Sequence, residues 1–169
     1  MAADPYRHGL IARLRASGED VVWCAELFPR PHVDWAPEGE WSARQIVTHL
    51  RDVEHGVQIA RIQAAVLEDN PTFPRFDAAA WRAAHRPASE TYDEVVDDFA
   101  AGRRALAALL DRLDAEDWSR PVRSAAFGLS TLEAVAERAY LHTLDHIGQL
   151  LRLRRTLLAA LAGEGASGP

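Results

Sequence analysis

The sequence predicts an all-α protein, a bundle of four long helices, and three observations predict it. Apolar residues recur at three- and four-residue intervals in four separate stretches. Three of those stretches open on Ser or Thr followed three residues later by Glu or Gln, the pattern that caps a helix N-terminus. No segment shows the strict alternation of a half-buried strand.

The first helix is predicted from about Pro5 to Leu27, with Leu10, Leu14, Val21, Cys24 and Phe28 on one face, and Pro29 and Pro31 end it. The second begins after Trp41 with the Ser42/Gln45 box. Its apolar stripe reads Ile46, His49, Leu50, Val53, Val57, Ala60, Ala64 and Leu67, and Asn70-Pro71 stops it. The third starts at the Thr91/Glu94 box and buries Val95, Phe99, Leu106, Leu109 and Leu113. The fourth starts at a Ser130/Glu133 box and carries Leu132, Val135, Ala139, His142, His146, Leu150, Leu153 and Leu157.

Residues 1–162 are read as a single bundle domain and residues 163–169, rich in small residues, as a frayed tail. The connections are long, since links in helix bundles usually take about 2–8 residues. They are also aromatic, with Trp35, Trp41, Phe73, Phe76, Trp81, Trp118 and Phe127. Such loops must pack on the mouth of the bundle or on a partner subunit.

At 169 residues the chain has room for one real core and not for two ordinary domains. A composition of 48% hydrophobic and 26% charged residues is that of a folded soluble protein. The net charge of −6, with arginines scattered among the acids, argues against a nucleic-acid partner. No apolar run approaches the ~20 residues of a membrane span. The start, MAADPYRHGL, lacks the pattern of a secretion signal. One cysteine, Cys24, cannot form an internal disulfide, which points to the cytoplasm, and its apolar neighbours mark it as packing.

Chemistry is suggested by three histidines on buried stripes: His49 on the second helix, and His142 and His146 on the fourth. Residues four apart on a helix share a face, with Cβ atoms roughly 5–6 Å apart. Two such imidazoles can close on one ion at Zn–N distances of about 2.0–2.1 Å. A third from a facing helix would leave one position open, the arrangement of a catalytic site. The alternative for each is a core histidine bonded to a backbone carbonyl. Three unpaired rings in one core would cost roughly 1–3 kcal/mol each, a cost that a shared ion removes.

His8, His32, His55 and His85 are expected to be solvated. Asp52 and Glu54 are candidates to accept a proton near the ion, or else pair with Arg51 or Arg61. Asp145 lies about 100° round the helix from His146 and reads as a surface acid. Gln149, one turn past His146, is placed to hydrogen-bond a ligand imidazole.

The stretch Gly39–Glu54, with Trp41, His49-Leu50 and an acid after them, resembles the second helix of the DinB/YfiT-like superfamily. His142-Thr-Leu-Asp-His-Ile-Gly-Gln149 is similar to that family's last long helix. The resemblance implies a four-helix bundle holding one divalent metal (zinc first, nickel or iron otherwise) on His49, His142 and His146. It also implies a homodimer, and a small-molecule reaction using a low-molecular-weight thiol such as bacillithiol or mycothiol. Two alternatives stand beside that S-transferase reading: a metal-dependent hydrolase, and a non-catalytic metal-binding or ligand-sensing bundle.

Overall fold

Helix starts in this chain are set by side chains that satisfy the first free N–H groups. The protein, seen in a computed structural model, is described for residues 4–87 and 89–165. Asp4 caps α1 (Pro5–Glu26), accepting from the Tyr6 N–H. Ser42 and Gln45 form a reciprocal box at α2 (Ala43–Val53), and Thr91 and Glu94 form another at α5 (Tyr92–Leu110). Between these lie α3 (Ala60–Leu67) and the short α4 (Ala78–His85). The last helix, α6 (Leu132–Gly165), is the longest.

Helices α2 and α3 form one continuous rod, joined by a π-helical turn at Glu54–Ile59. A π turn holds an extra residue, so the α3 face is rotated from its uninterrupted register. This corrects the predicted stripe. Ile62 and Ala65 are buried, whereas Ala60 is exposed, Ala64 only half-buried and Leu67 82% exposed. Asn70 then turns the chain with a positive φ of 51°, a conformation Asn tolerates better than most residues.

The four rods are not arranged in chain order. Arg7 bonds Glu133 at 2.8 Å and Tyr6 donates to Glu137, so α1 and α6 run parallel from adjacent N-termini. Arg15 pairs with Asp111 while Tyr92 donates to the Ala25 carbonyl, so α1 and α5 are antiparallel. Rod α2–α3 lies between α5 and α6, diagonal to α1. Parallel neighbours need long crossovers, which is the physical reason for the long connections.

Those connections hold regular structure that periodicity did not predict. Thr72–Phe73 (β1) pairs in parallel with Pro121–Ser124 (β2), and β2 pairs antiparallel with Gly128–Thr131 (β3) through a turn with Gly128 at φ 73°. Val122 and Ser124 are buried and Pro121 and Arg123 exposed. The alternation is therefore present but lasts only four residues. Ser130, expected to cap the last helix, lies opposite Val122 in the sheet. The Thr131 hydroxyl accepts from the Ala134 N–H in its place. Gly163–Gly165, expected in the tail, continue α6, and residues 166–169 lie outside the described residues.

The core falls into two apolar clusters. One gathers Val21, Phe28, Ile46, Leu50, Phe99, Leu150 and Leu153. The other gathers Leu14, Ile62, Leu106, Trp118, Val122, Leu132 and Ala139. Cys24 belongs to the first and is fully buried; burial, and then the charge of Asp20, push its thiol up to about 11, as suits packing rather than reactivity. Along the sequence of α6 a polar segment separates the two clusters and holds His142 and His146, while His49 lies at the edge of the first cluster on α2.

Candidate metal centre

His49 stands on α2 five residues before the π turn, and antiparallel packing sets it opposite the His142–His146 turn of α6. The three rings converge through one atom each. His142 Nε2 lies 3.2 Å from His49 Nε2 and 3.2 Å from His146 Nε2. All three donor atoms fall within 4.8 Å of one another. A tetrahedral ion with bonds of about 2.0–2.1 Å has ligand atoms roughly 3.3 Å apart, which the two short separations match.

Protons alone cannot satisfy this cluster. The His146 Nδ1–H donates to Gln149 Oε1 at 2.8 Å, leaving its Nε2 as a bare acceptor. His142 can donate from Nε2 to only one of its two neighbours. One of the two Nε2–Nε2 contacts is therefore left without a hydrogen bond whichever neutral tautomers form, and a cation resolves the conflict. His49 and His142 are also held neutral, as ligands must be. Burial, and then the nearby charge of His146, lower His49 and His142 to about 4.

Trp41, just before the α2 cap, covers one side of the trio. Its ring is parallel to His146 at 6.3 Å between centroids and meets His49 edge-on at 5.1 Å. It remains 42% exposed. Two clefts open onto the histidines. One of about 500 Å³ has Trp41, Thr48, His49, Arg82 and Glu90 in its wall. The other, about 320 Å³, has Val57, Gln58, Phe76, Phe127 and His142 in its wall.

Beside the trio lies a buried ionic layer that the sequence reading located only in part. Asp52 accepts from Arg51 Nε at 2.8 Å and from Arg82 Nε at 2.7 Å. Arg51, fully buried, also holds Glu90 and Asp98. Glu54 pairs with Arg103 rather than Arg61, through two bonds of 2.7 and 2.9 Å. Arg103 further donates to Thr143, Ser17 and the Leu14 carbonyl, tying all four rods together next to His142. Both candidate proton acceptors, Asp52 and Glu54, thus have their oxygens engaged by arginine.

Sequence reasoning offered Arg51 as a partner for Asp52, as found, and missed Arg82 and Arg103. Arg103 left a signal, because it falls at helical spacing between Phe99 and Leu106 on the buried stripe of α5. Gly18 fits it closely, a Cβ there standing 2.4 Å from Arg103 Cγ. His55 corrects an expectation. It is half-buried, 3.2 Å from Asp98 and stacked toward Trp81. His32 is half-buried too, whereas His8, His85 and Asp145 are exposed as expected.

The sequence pattern of the DinB superfamily matches residues 13–150. The chain belongs to that superfamily. Its fold is similar to that of YfiT from Bacillus subtilis, described as a probable metal-dependent hydrolase with an unusual four-helix bundle topology. The TM-score is 0.77 at 21% identity, over 93% of this chain and 90% of that one. A DinB-like protein from the same organism, YjoA, matches with a TM-score of 0.65 at 18% identity, over 88% of this chain and 92% of its own. Curated proteins give no match. Identities this low carry the DinB fold and leave the reaction to be argued from the site. None of the described helices is long and apolar enough to cross a membrane.

Proposed function

We propose that this DinB-superfamily chain is a cytoplasmic metalloenzyme that holds one divalent ion on His49, His142 and His146 and transfers a low-molecular-weight thiol to a small electrophile. The convergence of three imidazole nitrogens, two of them on rings that burial holds neutral, carries the metal reading. An ion there, zinc before nickel or iron, would supply a Lewis-acid position that makes a thiol or a water acidic near neutral pH.

The ionic layer supports thiol chemistry over hydrolysis. Hydrolysis of amides and esters gains from a free carboxylate that shuttles the proton. The two carboxylates following His49 are instead locked to arginines. A thiol needs no such partner, since it stays ionised once its pKa is depressed. Gln149 orients His146, and Trp41 shields one side of the trio from water.

Hydrolysis is the second reading, favoured by the description of YfiT. Adding bacillithiol, mycothiol or a simple analogue to cobalt-substituted protein separates the two. A visible-spectrum change with thiol, and none with the corresponding alcohol, is the result expected, because sulfur is the softer ligand. No change with any thiol, combined with turnover of an ester, would replace transfer by hydrolysis. Metal binding with neither result would leave a non-catalytic bundle.

A homodimer through α6 also fits the surface. Leu141, Leu144, Leu151 and Leu158 are each 39–58% exposed. With Gly148 and Arg155 they repeat at alternating spacings of three and four along one outer stripe, the pattern that pairs a helix with a copy of itself.

A further inference from the structure

The cleft with His142 in its wall has an electrostatic character opposite to the rest of the chain. Three arginines reach it from separate elements: Arg61 from α3, Arg75 from the β1–α4 connection and Arg138 from α6. No carboxylate lines it. Among the described residues none of the three is engaged in an ion pair or a side-chain hydrogen bond, whereas Arg51, Arg82, Arg86 and Arg103 each hold a carboxylate. This stands out in a protein of net charge −6.

Two of the guanidinium groups rest on aromatic rings instead. Arg61 lies 5.4 Å over Phe73 and Arg138 lies 3.8 Å over Phe127. Such stacking fixes the plane of the group while leaving its N–H edges free to donate. Burial, and then the like charge of Arg138, hold the Arg61 pKa below its usual value. Half-burying one cation near another without a counter-charge is unfavourable, so the site is destabilised until an anion arrives. The remaining wall is Val53, Val57, Phe76 and Val135, with the amide of Gln58 among them. A volume of about 320 Å³ suits a molecule of fragment size.

We infer that this cleft binds the anionic end of a small organic substrate, a carboxylate or phosphate on an apolar or aromatic body, with Arg61 and Arg138 as the anion clamp and His142 in the same wall, one turn along α6 from Arg138. Planar guanidinium edges match both oxyanions through paired N–H···O bonds. The clamp stands on its own residues. Only the claim that the other end of the bound molecule is the reacting one rests on the metal-centre reading above.

The test uses metal-free full-length protein and four probes by calorimetry: benzoate, phenyl phosphate, and the neutral analogues benzamide and benzyl alcohol. Expected is binding of one or both anions at least tenfold tighter than of the neutral pair, with the ratio of the two anions naming the oxyanion. Arg61→Gln and Arg138→Gln should each weaken the preferred anion about tenfold, while Arg104→Gln on α5 should not. Equal binding of anions and neutral probes to the wild type would overturn the clamp without any variant, so a misfolded Arg61→Gln protein leaves it falsifiable. Anion binding that appears only with metal, and vanishes in His142→Ala, would also overturn it, since the ion would then be the receptor. Anion binding by the metal-free protein that takes up no metal would keep the clamp and remove the metal centre.

Discussion

Replacing Glu54 by Ala removes both carboxylate oxygens from Arg103, which is only 3% exposed. Its Thr143, Ser17 and Leu14 partners are neutral and cannot balance the charge. Stranding one partner of a buried ion pair costs about 3–5 kcal/mol. For a domain of this size each kcal/mol lowers Tm by roughly 2–4 °C, so the Glu54→Ala protein should melt roughly 6–20 °C below wild type. Removing both charges behaves differently. A Glu54→Met/Arg103→Met double variant leaves no uncompensated ion, and it should recover most of the loss. Urea unfolding of wild type, Glu54→Met, Arg103→Met and the double variant completes the cycle. A Glu54→Ala loss below about 1 kcal/mol, or a double variant as unstable as the two single losses added, would refute a pair that ties the rods together.

Gln149→Ala removes the acceptor that orients His146 and should weaken metal affinity about tenfold without abolishing it; competition with a chelator of known affinity measures this, and unchanged affinity would disprove the role. In metal-free protein, His49 and His142 have pKa values lowered to about 4 from 6.5. The unfolded state therefore binds more protons between those limits, so their contribution is complete above pH 6.5 and is lost as pH falls to 4. The loss is up to about 3 kcal/mol per ring, and His49→Ala should flatten that limb of the stability–pH curve. On the outer stripe of α6, Leu144→Glu with Leu151→Glu should convert a dimer to an 18.7 kDa monomer in sedimentation; a wild type already monomeric at micromolar concentration would remove the interface.

The long helices were legible because each combines a cap with a sustained apolar period. Ser42/Gln45 and Thr91/Glu94 are local devices, written within four residues and independent of the rest of the fold. The three histidines were legible for a related reason, since a polar ring repeated on an apolar stripe contradicts the pattern around it. Other features depend on distant parts of the chain. The π turn at Glu54–Ile59 has no local signature, and it moved Ile62 and Ala65 onto the inner face. The sheet joins Thr72–Phe73 to residues some fifty positions later, in runs too short for alternation to show. Arg51 and Asp52 are adjacent in sequence and were legible as a pair, but their complete burial was not. The crossover carrying Arg82 and Glu90, together with Asp98 on α5, encloses them.

The account stands most directly on the metal content of the purified protein. Elemental analysis of wild type, His49→Ala, His142→Ala, His146→Ala and His55→Ala, each loaded with zinc and desalted, reads it without assuming a reaction. One divalent ion per chain is predicted for wild type and His55→Ala, and none retained stoichiometrically in the other three. Full occupancy in any of those three would remove that histidine from the site, and a wild type that retains no ion would contradict the metal centre itself.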